Sequence, residues 1–470
     1  MFESRARACS LGFLLVIAVP GTHPAQPKPL TKWEETARSL LKELVEINTS
    51  ESSGSTAQAA HAMAARLKAA GFPDSDVVVY ENAPRKGNLV ARLRGRSTAK
   101  KPIMLLSHID VVEAKAEDWT LPPFQFIEKD GTFFGRGVAD NKDEGAMGLT
   151  LIIRMKAEGF VPDRDIIVAL TTDEEGGPAN GVEWLIKNQP QAVDVEYAFN
   201  EGGGGRVRDG ANLSHDIQAS EKKVLNLTLE SLNSGGHSSV PLKDNAITHL
   251  AAGLVKVGAF DFPVHLNEIT KAYFSRSAAI TPAPMGPAMK AIVANPADAE
   301  AARILSEDAR YNSQLRTTCV ATMLTGGHAS NALPQRARAT VNCRILPDES
   351  PEEVRATIER VIGDPKVKVT AASEARNSPP SPLTPALMTQ VERISAEMWP
   401  GVPVIPTMST GATDGVYLRN AGIPTYGVSG LFYADPNAHG MNEKISSAAF
   451  YKGLEFMYRL VKSLTGPGVS

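Results

Sequence analysis

Residues 104–112 read MLLSHIDVV. An apolar run stops at His108, admits Ile109, places Asp110 and turns apolar again. Apart from those two polar residues the stretch has the pattern of a strand buried on both faces. Side chains alternate across a strand, so His108 and Asp110 share one face and Ile109 takes the other. Burying two ionisable groups there is costly unless a partner or a cation offsets it.

Similar short apolar runs recur as NLVARLRG (88–95), DIIVALTTDEE (165–175) and VEYAFNEGG (195–203). Helical text lies between and before them. EGAMGLTLIIRMKAEGF and NGVEWLIKNQ follow strands; TKWEETARSLLKELVEI puts Leu40, Leu41, Leu44 and Ile47 at helical spacing, and STAQAAHAMAARLKAAGF closes at Gly71, a C-cap signal. Strands alternating with helices predict an α/β fold, a mixed, mostly parallel sheet flanked by helices. From Glu221 the texture changes. KVLNLTLESL, ARATVNCRILP and KVKVTAA alternate with period two, and DNAITHLAAGLVKVG and SPEEVRATIERVIG are helical. This reads as a smaller α+β domain over 221–373, inserted between two parts of a catalytic domain, 27–220 and 374–470. The Pro/Ser-rich SEARNSPPSPLTP marks the return.

Composition narrows the function. The 470 residues are 43% hydrophobic and 21% charged, with a formal net charge of −3. There is no Lys/Arg block, so no nucleic-acid surface is expected; small molecules or peptides are the expected partners. MFESRARACS followed by LGFLLVIAVPG reads as a signal peptide over residues 1–25, which places the mature chain in the periplasm or outside the cell, with no stable membrane span after processing. Cys319 and Cys343 would then remain, either as a disulfide suited to an oxidising compartment or as two buried thiols.

In parallel sheets, functional groups collect at the carboxyl ends of strands. His108 and Asp110 lie there. A glycine-rich turn in FGRGVADNKDEGAMG delivers Asp140 just before a helix, TTDEEGG ends a strand on Asp173, Glu174 and Glu175, FNEGGGG presents Glu201, and DPNAHGMNE carries His439 in a late loop. Acids packed at a strand end repel one another unless protons or cations neutralise them. His108, Asp140, Glu175, Glu201 and His439 are enough for two cations, with one carboxylate shared between metals roughly 3.5–4 Å apart. Imidazole and carboxylate ligands suit Zn, Co or Mn. One acid of the Glu174/Glu175 pair is then spare, and a spare carboxylate beside a metal site is a general base.

SHIDVV, GRGVADNKDEGA, TTDEEGG, FNEGGGG, GGHSSVP, GGHASNALP, NCRILP, TGATDGVYLR and AHGMNEKI occur in that order. In these stretches the chain resembles the M20 metallopeptidases of clan MH, a family that includes glutamate carboxypeptidase, carboxypeptidase S and aminoacylase-1. GGHSSVP is most similar to the carboxypeptidase S and long-chain N-acyl amino acid hydrolase branch. The resemblance implies two Zn²⁺ per subunit. His108 and Glu201 would hold one, Glu175 and His439 the other, and Asp140 both. It implies Asp110 supporting His108, Glu174 as the proton shuttle, and a cis peptide after Asp140. The inserted domain becomes a lid and dimerisation domain. Its His237 would reach the partner's site to stabilise the oxyanion, with Asn331 as an amide donor; Arg344 would pair with a substrate α-carboxylate, and Gly411 would add backbone donors. Asp414 would fix its loop. Relatives often read Asp-Lys-Gly where this chain has Asn141, Lys142 and Asp143, so the local turn is expected to differ. Asp194 is the fallback ligand should Glu201 be misaligned. The implied substrate is a small peptide or an N-acyl amino acid, cleaved at an amide next to a free carboxylate by a homodimer.

Overall fold

The computed structural model describes residues 29–466. The stretch read as an export signal, residues 1–25, lies outside the described residues. The first helix, Lys32–Glu46, begins at a reciprocal cap: the Thr31 hydroxyl accepts from the Glu34 N–H, and the Glu34 carboxylate accepts from the Thr31 N–H. Its buried stripe is Ala37, Leu40, Leu41, Leu44 and Val45. The next helix, Thr56–Ala69, stops before Gly71, whose φ of 84° is the left-handed turn a glycine accepts readily.

Three adjacent strands form the centre of the main sheet: Ile166–Thr171, Ile103–His108 and Tyr197–Asn200. They run parallel, with Leu105 opposite Val168 on one side and Phe199 on the other. Every residue of the first two is buried, which explains their unbroken apolar text. Burying each Leu or Ile there stabilises the fold by about 1.5–3 kcal/mol. Helix Lys142–Ala157 lies on this centre. Gly145 permits its close approach, since a Cβ there would stand 3.1 Å from Leu170. The sheet is mixed: Lys86–Leu93 joins Ile166–Thr171 antiparallel, Val77–Ala83 follows it antiparallel, and Thr425–Gly427 extends the parallel side.

A separate four-stranded antiparallel sheet has the order Thr318–Gly326, Arg336–Ile345, Lys223–Leu232, Val367–Ala371. Lys223–Leu232 alternates as its text does: Leu225, Leu227 and Leu229 are buried with Val341 and Ile345 of the neighbouring strand and with Leu250 and Ile358 from the packed helices, while Asn226, Thr228 and Glu230 are part-exposed. Cys319 and Cys343 face each other across the first two strands and are disulfide-bonded. The span read as one insertion supplies two cores. Four helices between Glu268 and Leu315 form a cluster of Tyr273, Phe274, Met289 and Leu305 that packs on Ile405 of the main-sheet strand Val404–Ser409. Among the described residues no helix is long and apolar enough to cross a membrane.

Candidate active site

The carboxyl ends of the three central strands deliver the site. His108 ends one strand, Glu174 and Glu175 follow Thr171 at the end of its neighbour, and Glu201 follows Asn200 at the end of the third. Asp140 enters from the turn before helix Lys142–Ala157, next to a cis Asp140–Asn141 peptide. His439 arrives from the loop before strand Lys444–Ser446.

Two groups of ligand atoms result. His108 Nε2 lies 3.2 Å from Asp140 Oδ1 and 3.5 Å from Glu201 Oε2. His439 Nε2 lies 3.1 Å from Asp140 Oδ2 and 2.8 Å from Glu175 Oε1. Within each group the donors all lie within 4.8 Å of one another. Asp140 thus offers one oxygen to each histidine. Burial alone would raise the Asp140 carboxyl, but hydrogen bonds from His108 and His439 hold it well below the usual carboxylate range. Burial disfavours a charged His108, yet Glu201 and Asp140 outweigh it and raise its pKa well above the ordinary value. His439 is pushed up to about 9, chiefly by its bond to Asp140.

The donor set fits two cations. His108 Nδ1 donates to the Asp110 main-chain carbonyl at 3.0 Å, which anchors the ring with Nε2 aimed at the carboxylates, the atom a cation would take in place of its proton. Each group holds one imidazole and two carboxylates, a set suited to Zn²⁺, Co²⁺ or Mn²⁺.

Asp110 contacts His108 mainly through its main-chain carbonyl, and its carboxylate has a second task. Its carboxylate is 3.8 Å from the imidazole Nδ1 but accepts the backbone N–H of Glu174 at 3.2 Å and of Glu175 at 3.0 Å. The main-chain carbonyl orients the histidine, and the side chain holds the turn that carries the acid pair. In that turn Glu175 faces His439, whereas the Glu174 carboxylate has no hydrogen-bond partner among the described residues. Burial, reinforced by the nearby acids, pushes Glu174 up to about 10 and Glu175 up to about 7. Asp173, the third acid, turns away at φ 59° and accepts from Lys86 Nζ at 2.5 Å and from the Ala179 N–H at 3.0 Å. Glu174 borders a cleft of about 270 Å³ lined also by Asn180, Lys222, Arg376, Thr413 and Tyr417.

Asp414 fixes its surroundings as expected. It is buried, accepts from Thr171 Oγ1 at 3.1 Å and from Asn180 Nδ2 at 2.7 Å, and burial pushes it up to about 7. Asp194 pairs with Lys101 at the surface and belongs to neither ligand group, whereas Glu201 lies beside His108. In the divergent turn, buried Lys142 donates to the carbonyls of Leu44 and Ile47 and ties the first helix to the Asp140 segment. Buried Asp143 accepts from Tyr433 at 2.9 Å.

The smaller sheet brings fewer of its residues together. His237 pairs with the Ala332 position in an exposed two-stranded ribbon, and the Asn331 carbonyl accepts from the Ser238 N–H at 2.9 Å. Neither forms a hydrogen bond or ion pair with the His108–His439 cluster of its own chain. Arg344 lies on strand Arg336–Ile345 and reaches the Thr410 carbonyl at 3.4 Å, beside Gly411, whose N–H donates to Ser409 Oγ at 3.1 Å. Two residues escaped the sequence reading: Arg136 and Glu443 form a buried pair at 2.8 Å behind the cluster. Their only signal was an arginine and a glutamate inside the quoted GRGVAD and AHGMNE stretches.

A sheet edge that gathers ligand groups around a shared carboxylate, with a half-buried unpaired acid beside them, is arranged for metal-assisted hydrolysis. Fold and site together define a metal-dependent hydrolase. Residues 104–463 match the model of peptidase family M20/M25/M40, and the chain belongs to that family. The human N-fatty-acyl-amino acid synthase/hydrolase PM20D1 is 30% identical over 390 residues, covering 79% of this chain and 76% of the relative. A probable carboxypeptidase S-like protein of Dictyostelium discoideum is 28% identical over 405 residues, covering 83% and 77%. The M20 metallo-carboxypeptidase Sso-CP2 of Sulfolobus solfataricus shares the fold at a TM-score of 0.65 and 17% identity, covering 92% of this chain and 99% of that one.

Proposed function

We propose that this chain is an exported di-zinc hydrolase that cleaves an amide bond next to a free carboxylate, of carboxypeptidase or dipeptidase type. The observation that carries the reading is the Asp140 carboxylate shared between His108 and His439, with Glu174 unpaired beside it. His108, Asp140 and Glu201 would hold one cation and Asp140, Glu175 and His439 the other; bound there, the cations would polarise the scissile carbonyl and acidify water. Burial and the nearby acids favour a protonated Glu174 in the metal-free site. The charge of bound cations would favour its ionised form. As a carboxylate, Glu174 accepts a proton from the attacking water as the water oxygen bonds to the carbonyl carbon. It returns that proton to the amide nitrogen as the C–N bond breaks, leaving an amine and a carboxylic acid, which then ionises to the solvent. Asp110 keeps Glu174 in place through the backbone. Arg344 pairs with the substrate carboxylate, next to the Gly411 loop.

The exposed strand Thr318–Gly326 supports a homodimer. It is a sheet edge with Val320, Met323 and Leu324 each 60–65% exposed, a surface a second copy would cover. In that dimer His237 and Asn331 serve the partner's site as oxyanion donors. The Cys319–Cys343 disulfide supports a periplasmic or secreted location. An N-acyl amino acid is the second substrate reading, favoured by the 30% identity to a relative named for N-fatty-acyl amino acids. Amine release from free dipeptides, longer peptides and N-acyl amino acids separates the two. Turnover of peptides supports the first reading, and turnover of acyl amino acids alone moves the chain to the second.

A further inference from the structure

The two candidate cation positions are built by different means. The His108 position is made by the sheet: His108 is 1% exposed, ends a central strand and has its far nitrogen anchored. The His439 position is made by a loop. The His439 side chain is 55% exposed, and the loop contains three non-glycine residues in the left-handed region, Asn437 at φ 50°, His439 at 63° and Asn442 at 54°. Such backbone persists only where its surroundings over-determine it.

Those surroundings centre on Arg136 and Glu443, which are 2% and 0% exposed. The Glu443 carboxylate accepts from the Gly137 N–H at 3.0 Å and from the Ala139 N–H at 2.8 Å, the residue before Asp140. Arg136 donates to Glu443 at 2.8 Å, to the His439 carbonyl at 3.3 Å and to the Gly440 carbonyl at 3.1 Å. Its guanidinium also lies 4.9 Å from the Trp119 ring centroid. One ion pair therefore fixes the turn that carries Asp140 and the loop that carries His439, two segments joined nowhere near each other in sequence. Neither residue belongs to the ligand set.

We propose that the Arg136–Glu443 pair assembles the His439 cation position, and that the His108 position, which takes His108 and Glu201 from the sheet and only Asp140 from the turn the pair holds, depends on it less. This rests on the two-cation reading given above. Arg136 and Glu443 are positioning residues: they set the distance between Asp140 Oδ2 and His439 Nε2 through main-chain atoms. Partners of this kind typically govern metal affinity by about 10–100-fold.

The test is Zn²⁺ binding by the metal-free chain in competition with a chromophoric chelator. Removing one member would strand a buried charge, so the variant is the double Arg136→Met/Glu443→Gln, with His439→Ala as the reference for a lost second position. The parent is expected to bind two equivalents. In the double variant the second equivalent weakens by about 10–100-fold, as in His439→Ala, and the first weakens less. Two equivalents at parental affinity in the folded double variant overturn the inference. Should that variant not fold, hydrogen exchange on the parent decides. Residues 434–443 gain protection with the second equivalent of Zn²⁺, and residues 134–140 gain further protection at the same step; a second equivalent that protects only one segment, or neither, overturns it. A parent that binds fewer than two equivalents overturns the two-cation reading, and this inference with it, whereas a two-metal parent with a two-metal variant overturns the inference alone.

Discussion

The main-sheet edge and the four-stranded domain treat their polar residues in opposite ways. At the sheet edge every ionisable group but Glu174 has a partner in the same chain: His108 and His439 share Asp140, Asp110 clamps two N–H groups, and Asp414 holds Thr171 and Asn180. In the four-stranded domain His237 is exposed and touches nothing of its own chain's cluster, and Val320, Met323 and Leu324 face solvent along an unpaired strand edge. The first region is complete within one chain. In the proposed homodimer, a second copy would cover the edge of the second region and accept its His237. The contrast teaches that the candidate ligand set and base can be judged from one chain, whereas the proposed oxyanion donors can be judged only in the proposed dimer.

The contrast can be broken at Glu174. Glu174→Ala should lower kcat by about 10²–10⁴-fold while metal content, read by elemental analysis, stays at the parental level. Parental turnover in that variant removes Glu174 as the base. The next effect concerns the second copy. His237→Ala should cost about 10²–10³-fold in kcat, and Val320→Lys/Met323→Lys should cost as much while turning a dimer into a monomer in sedimentation. Mixing His237→Ala chains with Glu174→Ala chains should restore activity, because one site of each mixed dimer has both residues. No recovery on mixing would place His237 in its own chain's site.

The disulfide sharpens the comparison, since among the described residues the main sheet has no counterpart. Cys319→Ala/Cys343→Ala opens a loop spanning 24 residues, and about 3 kcal/mol of stability should be lost. Amide exchange should quicken in strand Thr318–Gly326 and remain unchanged in Ile103–His108. Exchange that quickens equally in both strands would show one cooperative unit. The smallest effect falls on Arg344. Arg344→Ala should lower kcat/KM by about 10–100-fold for substrates with a free carboxylate and leave their carboxyl-amidated analogues nearly unchanged. Equal losses on both would rule out the pairing.

The legible parts of this molecule are those where burial shapes the text. Ile103–His108 and Ile166–Thr171 are buried on both faces, so their apolar runs stand out, and the ionisable residues that end them mark the site. Lys223–Leu232 is buried on one face and alternates. Contacts made through the backbone were not legible. Asp110 serves Glu174 and Glu175 through their N–H groups, which every residue but proline possesses, so its side chain was assigned to the neighbouring histidine instead. Arg136 and Glu443 are 307 positions apart and act on carbonyl and amide groups, with no spacing to reveal them. The helices from Glu268 to Leu315 join the main-sheet strand Val404–Ser409 through contacts at Ile405, a tertiary choice that periodicity does not carry.

The most direct test of the central claim is amine release by the zinc-loaded chain from dipeptides and N-acyl amino acids, each beside its carboxyl-amidated analogue, with bound metal measured in the same sample. The account predicts two equivalents of metal, turnover of at least one free-carboxylate class, and loss of that turnover in Glu174→Ala. Two bound metals with no turnover of any free-carboxylate substrate, or turnover that survives in Glu174→Ala, would contradict it.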